Sequence, residues 1–236
     1  MKPKEIESQE LTHEDIIRVG RFVEAWYEVN MRSLTRFGLY KPELGDAVAP
    51  TIHQVREKLL QRLWKSQLND VAGRQNPALL LEPVADRSRY LGALGIEKPA
   101  TAWISKTLER DDIADPKVRG SPVSGWRWAI TEGAETVAEP RDNVFTLDLR
   151  INNFIRESFA KGTKGMSMKQ YALFLLQSTL GGRQPDRDTW TVCNGSSMQG
   201  GRVAGAGTSN PMIFLEREAQ LQNMGARFRP TLCGEF

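Results

Sequence analysis

The chain has 236 residues, 40% of them apolar and 26% charged, with 32 basic residues against 29 acidic ones. That composition excludes a disordered or collagen-like chain and supplies enough apolar side chains for a packed core without metals or cross-links. A net charge of +3 points to no partner by itself, and Cys193 and Cys233 lie far apart with no CxxC or Cys/His cluster, so neither a metal site nor a disulfide framework is expected. The residues Met1 to Glu7 are polar and mixed in charge, unlike a secretory leader, and no stretch reaches the roughly 20 apolar residues of a membrane span, so a cytoplasmic, non-secreted protein without a membrane partner is expected.

In chain order, Thr12-His13-Glu14-Asp15 is a capping signal, and Ile16, Val19, Val23, Trp26, Tyr27 and Leu34 follow at helical spacing, predicting a first helix. Two prolines and two glycines make 38–50 a loop. A second helix starts at Pro50 or Thr51 and carries Ile52, Val55, Leu59, Leu60, Leu63, Trp64 and Leu68 on its core face. From Gly73 to Pro122 the pattern breaks into short pieces: the run Leu79-Leu80-Leu81, a segment around Tyr90, and a short helix from Ala100 to Leu108. The expected organisation is an N-terminal helical region over 1–110, a linker or mobile loop over 111–125, where Pro116, Gly120 and Pro122 punctuate alternating charge, and a C-terminal helical region over 126–236.

In that last region Trp126, Trp128 and Ile130 alternate with other residues as in a half-buried strand, and Glu132-Gly133 turns it towards Thr136-Val137-Ala138 to make a small hairpin. Leu147, Ile151, Phe154, Ile155 and Phe159 predict a helix ending near Gly162. Ser167 caps another, carrying Met168, Tyr171, Leu175, Leu176 and Leu180 up to Gly181-Gly182. Thr189 to Val192 reads as a short strand, Asn194 to Asn210 as an open glycine-rich loop, and Asn210-Pro211 as the start of a final helix over Met212 to Met224, followed by a basic tail containing Arg227 and Arg229. The expected fold class is therefore mainly α, a helical domain with one small β-hairpin and long loops.

Two constellations carry chemistry. The order strand, glycine-rich loop, helix suggests an anion cradle of backbone amides at Gly201, Gly205, Gly207, Thr208 and Ser209, although the spacing matches neither a P-loop nor a dinucleotide fingerprint. The second is basic. Arg150, Arg156, Lys161, Lys164 and Lys169 follow one another with Glu157 as the only acid between the first and the last. Cations on neighbouring helices with aromatic residues interleaved are what single-stranded nucleic acid binding uses, although a solvated basic face has the same composition. Only His13 and His53 are available for a nucleophile-activating pair, and the carboxylate pairs Glu132 with Glu135 and Asp186 with Asp188 sit beside turn signals, where acids serve solvation and capping. No catalytic residue, metal or cofactor is assigned.

Several fragments of the chain resemble the coat proteins of flexuous filamentous plant RNA viruses, the potyvirus type in particular. They are Gly125-Trp126-Arg127-Trp128 with Glu132 to Pro140, then Leu149-Arg150-Ile151 with Phe154, then Glu216-Arg217-Glu218-Ala219-Gln220, with Trp26-Tyr27-Glu28 near the N-terminus. The resemblance implies a helical capsid subunit that coats single-stranded RNA, self-assembles into a ribonucleoprotein and resides in the cytoplasm or the virion. The working expectation is thus a non-enzymatic structural protein binding RNA through Arg150 to Lys169. The alternatives are an enzyme holding a phosphorylated small molecule at Gly200 to Ser209, and a protein-binding accessory factor of a phage or mobile element.

Overall fold

The structure, a computed structural model, describes residues 11–62, 77–85, 87–95, 125–131, 133, 164–186, 189–193, 204–209, 212–216 and 225–236. Helix α1 (His13–Arg36) opens as its sequence dictates: the Thr12 hydroxyl accepts from the Asp15 amide at 3.3 Å and the Asp15 carboxylate accepts from the Thr12 amide at 2.9 Å. This reciprocal bonding satisfies amides that have no partner within the helix. Val19, Val23 and Leu34 form the buried face, flanked by the half-buried Phe22, Trp26, Tyr27 and Met31.

Past α1 the chain loops back through a short 3₁₀ turn at Pro42–Leu44, held by Tyr27, whose hydroxyl donates to Pro50 O at 2.8 Å. Helix α2 (Ile52–Arg62) starts with Thr51 bonded reciprocally to Gln54 and buries Val55 and Leu59. Ile52, expected on the same face, is exposed. Trp64 and Leu68 lie outside the described residues.

The run Leu79-Leu80-Leu81 is the centre of strand β1 (Ala78–Glu82), buried at every position, and helix α3 (Arg87–Ala93) follows with Tyr90 inside. Strand β2 (Arg127–Thr131) pairs antiparallel with β1, Leu80 opposite Ala129, and on its other flank with β8 (Pro230–Glu235), Ala129 opposite Cys233. Strand β3 (Lys164–Gly165) completes this first sheet in the order β1-β2-β8-β3. Gly234 is needed where the Trp128 indole crosses β8: a Cβ there would lie 2.8 Å from the ring. Helix α4 (Met168–Leu180), capped by Ser167 and Gln170, is buried from Met168 through Ser178, the mark of a helix enclosed on all sides.

A second sheet comprises β4 (Thr189–Cys193), β5 (Ala204–Ser209), β6 (Met212–Glu216) and β7 (Gly225–Phe228) in the order β6-β5-β4-β7, with β4 and β7 parallel and the other pairs antiparallel. Among the described residues, eight strands in two sheets overturn the mainly α expectation and form an α+β arrangement in which α1 and α4 pack on β1. Four specific corrections follow. The small hairpin is replaced by wider pairing, because both flanks of β2 are taken by β1 and β8. The glycine-rich stretch from Ala204 is a strand, and the expected helix from Met212 begins as strand β6. The basic tail is β7 and β8. Residues on either side of 111–125 share the first sheet. Within that segment only Gly125 is described, and the expected helices over 100–108 and 147–162 lie outside the described residues.

Candidate functional site

Of the basic run, Arg150, Arg156 and Lys161 lie outside the described residues. Lys164 opens β3, the last strand in the order of the first sheet, in register with Thr231. Lys169 departs from expectation. It occupies the first turn of α4 with 1% of its surface exposed; its ammonium donates to Ala85 O at 3.2 Å and sits 4.9 Å from the centre of the Tyr90 ring. A carbonyl dipole and a π face stabilise a buried ammonium that water no longer reaches. The side chain therefore fastens α4 to the segment between β1 and α3 and does not face a ligand.

Four of the five residues of the expected anion cradle fall on a strand. Gly205, Gly207, Thr208 and Ser209 belong to β5, where Gly205 is flanked by Val192 of β4 and Glu216 of β6, and Gly207, Thr208 and Ser209 face Phe214, Ile213 and Met212. Amides in a ladder are not gathered around an anion, and the strand β6 leaves no helix N-terminus to strengthen one. Gly201 lies outside the described residues.

One buried polar cluster among the described residues joins a turn and a tail that lie far apart in the sequence. Arg229, between β7 and β8, and Asp186, between α4 and β4, are both fully enclosed and meet at 2.8 Å from Nη2 to Oδ1. The Thr191 hydroxyl of β4 joins them: it donates to Asp186 Oδ2 at 2.6 Å and accepts from Arg229 Nε at 2.8 Å. The guanidinium lies 4.5 Å from the Phe174 ring centre. Burial raises the Tyr171 hydroxyl well above the usual tyrosine range, and the Asp186 charge adds to that against the opposing pull of Arg229. Cys193 is buried and Cys233 exposed, and neither is in a disulfide. Forty-three residues separate Asp186 from Arg229, so no local motif announces the pair.

Other ionised groups are likewise tied to internal partners. Glu82 of β1 pairs with Arg127 of β2, whose guanidinium is lowered from its ordinary range mainly by burial. Asp46 meets Arg89 at 2.5 Å, and that hydrogen bond holds its carboxyl below the usual range. His53 stands 3.2 Å from Glu57, both exposed, and His13 is exposed at the start of α1. Among the described residues no group of three or more His, Cys, Asp or Glu is placed to hold a metal ion, and no helix is long and apolar enough to cross a membrane. Comparison with protein-family models, with curated proteins and with solved structures returns no match to this chain.

Proposed function

We propose that the protein is a non-enzymatic structural protein that binds single-stranded nucleic acid, RNA in preference, through Arg150, Arg156, Lys161 and Lys164, and assembles with copies of itself. The observation that carries this reading is the charge of that run: four cations with a single acid, Glu157, between them. The run ends in β3, the last strand in the order of the first sheet. Lys169 is no longer part of the surface. The resemblance to filamentous-virus coat proteins favours RNA and self-assembly, while Tyr171-Ala172-Leu173-Phe174 lacks the aspartate that would pair with that family's RNA-site arginine, so the role given to Arg150 rests on charge.

Each phosphate neutralised releases condensed counterions, so affinity falls with salt. Four contacts correspond to a slope of about −3 in log K against log salt, at ~0.7 per contact on a single strand. Fluorescence anisotropy with a labelled RNA oligomer across a salt series measures the slope. Reversing two charges, Arg150→Glu with Lys164→Glu, abolishes binding, whereas Lys169→Met leaves affinity and slope unchanged because that ammonium faces Ala85 and Tyr90. Binding that ignores ionic strength, or that survives the double reversal, refutes the reading. Light scattering with and without RNA separates assembly from an unchanged small particle, and a defined complex with another protein would instead indicate an accessory factor.

A further inference from the structure

The four strands of the second sheet come from one uninterrupted stretch of chain, Thr189 to Phe228, inserted between α4 and β8. The chain enters that stretch just past Asp186 and leaves it at Arg229, and these two residues are ion-paired to each other at 2.8 Å with no exposed surface. We propose that the Asp186–Arg229 pair is a clasp at the neck of the insertion, and that the second sheet, β4 to β7, is a separate opening unit which this clasp holds shut against the first sheet and its helices.

Four further observations support the clasp. Asp186 has φ 55, a left-handed conformation uncommon outside glycine, although aspartate tolerates it better than most residues. Thr191 sits between the two charges, so the first strand of the insertion is fastened at its own neck. Beyond Arg229 a polar line runs into the first sheet: the Thr231 hydroxyl donates to Arg229 O at 3.0 Å and is bonded to the Thr131 hydroxyl of β2 at 3.2 Å. The Arg229 guanidinium thus joins entry, exit and first strand of the insertion, and the backbone carbonyl of Arg229 continues the connection to β2. Its cation also lies against Phe174 of α4, so the neck is seated on the helix that the first sheet packs against.

Removing one member of a buried pair leaves the other charge without its counter-charge in a medium that cannot solvate it. If the insertion is its own unit, that penalty appears as local opening and not as global unfolding, since regions of one protein open with different free energies. The inference is independent of the RNA-binding reading. Hydrogen exchange on the full-length Asp186→Asn protein tests it, because this change keeps the shape of the side chain and removes its charge. We expect amides of β4 and β5 to exchange at least about tenfold faster while those of β1 and β2 stay within about twofold of the parent protein. Equal acceleration in both sheets, or none in either, overturns the clasp. Should Asp186→Asn fail to fold, Thr191→Val, which retains both charges and deletes the bridging hydroxyl, is measured in the same way. Acceleration confined to β4 and β5 supports the proposal; general acceleration, no change or loss of folding overturns it.

Discussion

The side chain of Asn30 stands where a further strand would pair with β1. The Leu81 amide donates to its Oδ1 at 2.7 Å and its Nδ2 donates to Leu79 O at 2.8 Å, so one carboxamide occupies backbone groups on the flank of β1 that faces away from β2. The same Nδ2 donates to Trp26 O at 2.8 Å, and Gln177 Nε2 of α4 donates to Oδ1. An open strand edge invites unwanted pairing, and here a helix side chain closes it inside the core. Truncating Asn30 leaves the Leu81 amide and the Leu79 carbonyl buried and unsatisfied, each of which costs about 1 to 3 kcal/mol. Asn30→Ala is therefore expected to destabilise the fold by about 3 kcal/mol or more, read as a lower urea midpoint with an unchanged slope. An unchanged midpoint would mean that water or another side chain takes over both groups. Lys169 and Arg229 follow the same logic with a charge in place of an amide: each is enclosed, and each joins segments far apart in the chain.

At the scale of the element, the signals that survive are local ones, and the caps are the clearest. Thr12 with Asp15 and Ser167 with Gln170 form the capping boxes that their spacing implies, because every group involved is local. Thr12→Ala should cost about 1 kcal/mol of stability, the usual worth of an N-cap side chain. Chemical denaturation measures this, and a loss near zero would show that Asp15 alone holds the end of α1. Strand β1 was legible only as an apolar run, since a strand buried on both faces shows no alternation. Strands β5 and β6 were not legible. Ala204-Gly205-Ala206-Gly207 has none of the branched or aromatic side chains that favour strands, and Met212-Ile213-Phe214-Leu215 is a short apolar run that suits a helix or a strand equally. Their pairing with each other and with β4 decides the matter, and pairing is not a local property. The candidate site fared alike. Charge is visible in sequence and places Lys169 with a basic face, whereas the enclosure of α4 on every side depends on elements drawn from both ends of the chain.

For the whole molecule the telling feature is where β8 lies. Residues 230–235 form an interior strand of the first sheet, between β2 and β3, and bring Leu232 into the core and Thr231 against Thr131. Pairing Ala129 with Cys233 spans more than a hundred residues, so the entropy of closing that loop is lost before the contact forms, and the first sheet cannot be completed until β8 is available. Deleting 230–236 would strip β2 of its pairing on one flank, leave β3 without its partner, and uncover Trp128, which packs over Gly234. What remains of the sheet is the β1–β2 pair, with α1 and α4 lying over β1, and two strands alone bury too little to hold that arrangement. The truncated chain is expected to lose its near-ultraviolet circular dichroism and its cooperative thermal transition. A sharp transition retained after the deletion would place the stability of the molecule in α1, α2, α4 and β1 alone, with β8 an addition to a core that is already complete.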